Sequence, residues 1–396
     1  MKISLISLNT PTPENRGAAS ALPYHLAKYR GDEIDLTIYS FNLNAVSDAE
    51  LRQIEGELNA EIRVMPVPYW FKLCSHSYMQ WLRVLLRYPF QYYLRLSKGV
   101  VREINVDMPD AIWLYLEEFV GISRQLKKFK LVHSLPDCES LYYKRLLAQR
   151  RDGGMSLDRL RKIIMWRKYR RLERSIVRGI RCHVVGAEDA KELRSINNLI
   201  DVRFIRHPHY DTYMPTKDIS FTGSKIKIVL AGQNNLYMTP TAKEWICSIS
   251  REPELALNYE FTFLGKGWHD LATMLRNAGF SVNEINFAPN YAEELVRHDI
   301  QITPISIGTG TKGKVLDALA NGLLVIGTPY AMENIAAETG KSCIVYENAN
   351  DVVAVLKDII RDQEKYESMA EAGRQVVLRE HSRAKVATEF FEIFMK

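Results

Sequence analysis

The stretch Asp299 to Pro329, DIQITPISIGTGTKGKVLDALANGLLVIGTP, decides how the rest of the chain is read. Asp299 to Pro304 alternates as a short strand ended by proline. In Ile307-Gly308-Thr309-Gly310-Thr311 the glycines free the backbone to bend toward a ligand. Lys314 to Asn321 predicts a helix, with Val315, Leu316, Leu319 and Ala320 on one face and Gly322 as its stop. Leu323 to Ile326 is a continuous apolar run, as a strand buried on both faces requires. A strand, loop, helix and strand with glycines at the helix N-terminus suits an anion, because free N–H groups and the helix dipole point there.

Lys312 and Lys314 sharpen this reading. Cations at a helix N-terminus oppose its dipole and are mildly unfavourable until an anion arrives. Asp317 follows Lys314 by three residues, so both can face the loop side. Lysines for phosphates and a carboxylate for a ribose diol suit a nucleoside diphosphate. The same spacing also allows solvated lysines, with Asp317 merely pairing Lys314.

Thr303-Pro304, Gly308 to Lys312, Lys314, Val315 to Gly322 and Val325-Ile326 resemble the donor-site signature of GT-B glycosyltransferases of the family-four (group 1) type. The resemblance implies an α/β chain of two Rossmann-like domains with a cleft between them. The nucleotide sugar would bind in the C-terminal domain and the acceptor in the N-terminal one. It implies no resident cofactor and no metal, with a UDP- or GDP-linked sugar as donor substrate. Glu333 falls where relatives have a G-x-E segment beside the donor, and Gly232-Gln233 closes another strand whose loop could face the same site. The chain also departs from the pattern. Asp317 stands for the usual glutamate, Thr309 for an acid that many relatives carry, and Leu324 for a proline. Only Lys243 is near the place where relatives have an arginine and a lysine for the diphosphate.

At 396 residues two domains are expected, and 46% hydrophobic with 25% charged residues is a globular composition. The five cysteines are scattered, without C-x-x-C or a histidine cluster, which argues for a reduced cytoplasmic protein without a structural metal. The first residues do not read as a signal peptide, and no apolar run approaches a membrane span. The net charge of +6 says less than its distribution.

Lys2 to Leu8, about Ala18 to Tyr29, and Asp35 to Tyr39 predict the βαβ opening of a doubly wound sheet. Arg16-Gly17-Ala18-Ala19 resembles the family's opening loop. Trp70 to Arg102 carries eight aromatics, including Tyr78 and Trp81, six cations and no acid. That suits an interfacial helix on anionic lipid, or a helical pair feeding aromatics into a core. Lys144 to Arg181 is the most basic stretch, opposed only by Asp152, Asp158 and Glu173, with residues 150–156 a loop by composition. It reads either as an anion-binding helix or as a solvated face.

A strand over Lys130 to His133 is followed by Ser134-Leu135-Pro136-Asp137-Cys138-Glu139-Ser140-Leu141. Ligands bind at such carboxyl ends of strands, so Asp137, His133 and Glu139 are candidates to take a proton from an acceptor hydroxyl. Asp137 and Ser140 could instead cap the next helix.

The expectations are these. Residues 1–210 form an acceptor domain, 211–224 a linker, 225–381 a nucleotide-sugar domain, and 382–396 a helix packing back on the first. Asp137 and His133 are the catalytic candidates. Gly232, Gln233, Gly308, Thr309, Gly310, Thr311, Lys312, Lys314, Asp317 and Glu333 are the donor-binding candidates. The activity is metal-independent, hexosyltransferase-like sugar transfer in cell-surface polysaccharide or glycolipid assembly. The partners are a sugar or lipid-linked acceptor and an anionic membrane surface, with no nucleic acid. A nucleotide-sugar epimerase and a non-catalytic membrane-associated binding protein are the competing classes.

Overall fold

Short β-rich runs separated by helical periodicity give parallel strands, because a crossover helix returns the chain to the same edge of the sheet. The computed structural model describes residues 1–16, 19–75, 83–149, 156–210 and 212–395. Gly17, Ala18, Tyr78, Trp81, residues 150–155 and Asp211, all named above, lie outside the described residues. The chain divides into two units, Met1–Arg206 with Arg383–Lys396, and His207–Ser382.

The first unit is built on β1 (Lys2–Ser7), β2 (Asp35–Ser40), β3 (Glu61–Val64), β4 (Ala111–Tyr115), β5 (Lys130–Ser134), β6 (Arg181–Val184) and β7 (Asp201–Phe204). Its sheet runs β3-β2-β1-β4-β5-β6-β7, all parallel. Strand side chains alternate between faces. Ile6, Ile112 and Leu114 feed one core, while Ile3, Leu5, Trp113 and Val132 feed the other. The helix Arg383–Met395 covers that second face with Val386, Phe390, Phe391 and Phe394. The Trp113 and Phe390 ring centroids are 4.7 Å apart, and Lys130 and Arg181 each donate to a carbonyl of the helix, at 2.6 Å.

The second unit contains β8 (Ile226–Ala231), β9 (Tyr259–Leu264), β10 (Ser281–Ile285), β11 (Ile300–Thr303), β12 (Leu324–Gly327) and β13 (Ile344–Val345), ordered β10-β9-β8-β11-β12-β13 and again all parallel. Ile228, Ile300, Ile302, Leu324 and Ile326 face one core. Val229 and Val325 face the other, together with Val315, Leu316 and Leu319 of the helix Gly313–Ala320. In each sheet the strand order reverses once, between β1 and β4 and between β8 and β11. The crevice outside the carboxyl ends at such a reversal is where ligands bind in open α/β sheets.

The basic-aromatic stretch from Trp70 to Arg102 is not one interfacial helix. Its described residues form the helix Tyr69–Ser75, a tight turn Phe90–Tyr93 and the start of the helix Lys98–Asp107. Phe71, Phe90 and Tyr92 are buried, while Tyr69 and Trp70 are exposed. Pro89 and the extended residues after Tyr93 interrupt the helical period, which composition does not register.

Candidate functional site

In the second unit, the loops after β8 and β11 meet at the reversal of strand order. Ser306 ties them together: its N–H and hydroxyl both donate to the Tyr237 carbonyl, at 2.7 and 2.8 Å. Gly232 ends β8 at φ +134°, and its carbonyl accepts the Trp268 indole N–H at 2.7 Å. Gly265, at φ +140°, lies so close that a Cβ there would stand 2.2 Å from the Gly232 oxygen. Two glycine backbones in contact bring Gln233, which is exposed, to the sheet edge.

The helix Gly313–Ala320 opens at Lys312 without a side-chain cap and with no acid in its first turn. Lys314 is exposed by area, yet its ammonium stands in a recess. It lies 3.6 Å from where a Cβ on Gly232 would sit and 5.8 Å from the centroid of the Tyr291 ring. The surrounding protein pulls its pKa below the ordinary lysine value, and Asp317 opposes that shift. Among the described residues this ammonium has no hydrogen bond or ion pair. An unpaired, partly desolvated cation is costly until an anion reaches it. Lys312 is turned back on the loop, its ammonium donating to the Thr309 and Gly310 carbonyls at 2.5 and 3.2 Å.

Asp317 is buried, and one of its oxygens accepts the Tyr210 N–H at 3.1 Å. Asn321, one turn on, accepts the Tyr213 N–H at 2.7 Å, so the two side chains pin the segment entering the unit. Gly308, Thr309 and Thr311 are half-buried in the loop, and the Gly310 carbonyl accepts from Asn334 at 2.9 Å. Glu333 is half-buried just after the turn Pro329–Met332. The structure thus brings Gly232, Gln233, Lys312 and Lys314 to one sheet edge. Asp317 faces the incoming chain segment.

The first unit carries a different constellation at the carboxyl ends of β4 and β5. Leu116 leaves β4 at φ +149°, a conformation that residues with a Cβ rarely adopt. His133 is fully buried, and its Nε2 lies 2.6 Å from the Leu116 carbonyl, which it reaches as a donor. Burial drives its pKa down to about 4, so the ring is neutral at physiological pH. His133 therefore holds the turn that presents Glu117 and Glu118. Its ring is out of reach of a substrate, and the neutral donor role accounts for a histidine inside this core.

Asp137 is half-buried beyond β5, two residues before Glu139, the first residue of the helix Glu139–Ala148. Four glutamates converge here. Glu117 accepts the Glu139 N–H at 3.4 Å, Glu118 accepts the Tyr169 hydroxyl at 2.9 Å, and Glu173 accepts the Ser140 N–H at 2.9 Å. Glu117 and Glu173 are buried against each other, and desolvation, with the Glu173 charge second, raises Glu117 well above the carboxylate range. Glu117 Oε1 and Glu173 Oε2 are buried without a hydrogen-bond partner among the described residues, and each carboxyl group disfavours ionisation of the other. Burial first, then the charges of Glu118, Asp137, Glu173 and Asp189, push Glu139 up to about 8. Glu173 was hidden in the sequence because it stands alone inside a basic run, where an acid reads as an ordinary surface partner. Among the described residues, no three His, Cys, Asp or Glu side chains are placed to hold a metal ion.

Two parallel sheets, each with its own reversal of strand order, together with a lysine-bearing glycine loop on the second, define the GT-B fold of glycosyltransferases. The sequence model of the glycosyl transferase-like family matches residues 239–392. No curated protein matches the sequence. The chain is similar in structure to HepE of Anabaena, solved with UDP, at 14% identity and a TM-score of 0.65 over all of both chains. It is similar to sucrose-phosphate synthase of Thermosynechococcus elongatus at 10% identity and 0.69, over 100% of this chain and 98% of that one. WaaG, a glycosyltransferase involved in lipopolysaccharide biosynthesis, follows at 13% and 0.61, over 99% of each. The GT-B fold expected from the sequence is the fold observed.

Proposed function

We propose that this chain transfers a sugar from a nucleotide-sugar donor to an acceptor hydroxyl, in the assembly of a cell-surface polysaccharide or glycolipid. The observation that carries the reading is the unpaired Lys314 ammonium beside Gly232, where the strand order of the second sheet reverses. The family match over residues 239–392 supports it. HepE has been solved with UDP and with UDP-glucose, which favours a UDP-linked hexose here.

In this reading the diphosphate lies on Lys314 and on the N–H groups that open the helix Gly313–Ala320. Lys312 exchanges the loop carbonyls it now holds for phosphate oxygens. Charge that develops on the leaving nucleoside diphosphate then meets two ammonium groups and a helix dipole in place of a divalent metal. Glu333 takes ribose hydroxyls, because Asp317 is committed to the Tyr210 backbone. Asp137 takes the proton of the acceptor hydroxyl, with Glu139 as its protonated neighbour. His133 acts as a positioning residue through Leu116. The protein works in the cytoplasm, its first unit resting on the inner face of the membrane through its basic-aromatic segments.

Calorimetric titration with UDP tests the donor site. Lys314→Ala should weaken binding by roughly 1.5–3 kcal/mol, the range for a hydrogen bond to a charged group. EDTA should leave the wild-type affinity and turnover unchanged. Equal affinities of variant and wild type would remove Lys314 from the site, and turnover lost in EDTA and restored by Mg²⁺ would overturn the metal-free reading.

A further inference from the structure

The two basic-aromatic stretches of the first unit meet along one groove. The helix Leu157–Arg174 offers it the stripe Arg161, Ile164, Met165 and Lys168, at the i, i+3, i+4, i+7 spacing of a single helix face. The opposite wall is the segment from Arg83 to Gln91, and the cavity between them holds about 380 Å³.

The groove is built rather than incidental. Lys168 is only 5% exposed, and its ammonium donates to the Arg83 carbonyl at 2.5 Å. Arg171 donates to the Arg87 carbonyl at 2.9 Å. The Arg83 guanidinium lies 4.4 Å from the centroid of the Phe90 ring. Two cations of the helix therefore staple the opposite wall in place through backbone carbonyls. Among the described residues the cavity is lined by three cations and by no carboxylate, with Ile164, Met165, Val84 and Phe90 between the charges. Lys168 keeps two further N–H donors beyond the one given to Arg83. Burial, and then the Arg171 charge, pull its pKa down, so an anion beside it would relieve a cost already present. Leu85 and Leu160, next in sequence to the lining residues Val84 and Arg161, are exposed.

Phosphate alone would leave the apolar floor unused, and a hydrocarbon alone would leave the cations unpaired. We propose that this groove binds a single-chain alkyl phosphate, its phosphate on Arg161 and Lys168 and its chain along Ile164, Met165 and Phe90. It would be a carrier subsite for a lipid-linked acceptor. That use rests on the sugar-transfer reading, whereas the binding itself does not.

The full-length protein is titrated calorimetrically with octyl phosphate, inorganic phosphate and octanol, in the absence of nucleotide sugar. Octyl phosphate should bind, more weakly as salt rises, and the other two should bind at least tenfold more weakly. Arg161→Gln, at an exposed position, should weaken octyl phosphate roughly three- to tenfold. Met165→Glu should abolish binding by placing a like charge on the floor. Far-UV circular dichroism and thermal melting of the same samples report that each variant is folded. Absence of octyl phosphate binding, equal binding of octanol or of phosphate alone, or an unchanged affinity in Arg161→Gln overturns the proposal. Since no donor is present, any of these results leaves the sugar-transfer reading standing, and a failure of transfer leaves the groove's binding unaffected.

Discussion

Glu139 is where single-residue chemistry has the clearest consequence. A glutamate at the first position of a helix ordinarily gains from the dipole and stays ionised. Here burial and four neighbouring acids outweigh that gain and hold its carboxyl up to about 8. The folded chain therefore keeps a proton that the unfolded chain has already released. Stability falls as pH rises from the unfolded value near 4.5 to about 8, and the cost is fully present above that. Glu139→Gln should be near neutral at pH 4–5 and more stable than wild type at pH 8–9, by on the order of 1–2 kcal/mol after solvent screening. Urea unfolding at the two pH values measures this, and an unchanged pH slope would contradict it. Glu117, Glu118 and Glu173 are shifted the same way, so the slope is reduced and not removed. At Lys314 the residue type and its place at a helix start were legible, because spacing alone sets them. That the Gly232 loop could face the same site was also legible, but the approach of its backbone to the Lys314 ammonium was set by the strand order.

Among the elements, the crossing of the β8 and β9 loops governs the donor edge. Gly232 and Gly265 touch because each has a backbone that a Cβ would not permit. Gly265→Ala would put a methyl carbon 2.2 Å from the Gly232 oxygen, at a φ that alanine resists. The expected loss is about 1–3 kcal/mol of stability, as for other overpacked sites. UDP affinity should also fall, because Gln233 and the recess beside Lys314 move with the Gly232 backbone. Thermal melting and calorimetry on the same variant measure the two effects, and a normal melting temperature with normal affinity would show that the loops can separate without consequence. The helix Leu157–Arg174 teaches the complementary lesson. Its charge was plain from composition, but the burial of Lys168, Tyr169, Leu172 and Glu173 was not. A helical period of cations is the same pattern whether the face meets water or backbone carbonyls. Only the packed segment from Arg83 to Gln91 separates the two cases.

For the molecule as a whole, the basic segments of the first unit predict salt-dependent attachment to anionic membranes. Each lysine or arginine near such a surface contributes about 1 kcal/mol, within a reach of roughly 8 Å at physiological salt. No helix among the described residues is long and apolar enough to cross a membrane. The protein should sediment with anionic vesicles at low salt, remain in solution with neutral ones, and be released by high salt. Replacing Arg167, Arg170 and Arg171 with serine should halve or further reduce the bound fraction while UDP binding persists. A wild type that stays in solution under every condition would remove membrane attachment from the reading. The doubly wound character of both sheets and the glycine loop with its lysines could be read from the amino-acid order alone. They depend on periodicity and on residues a few positions apart, which local geometry converts directly into faces and turns. The acid cluster of Glu117, Glu118, Glu139 and Glu173, the recess around Lys314 and the groove at Lys168 came only from the folded chain. Each joins residues from separate segments, and it is strand order and side-chain packing, not local propensity, that bring such segments together.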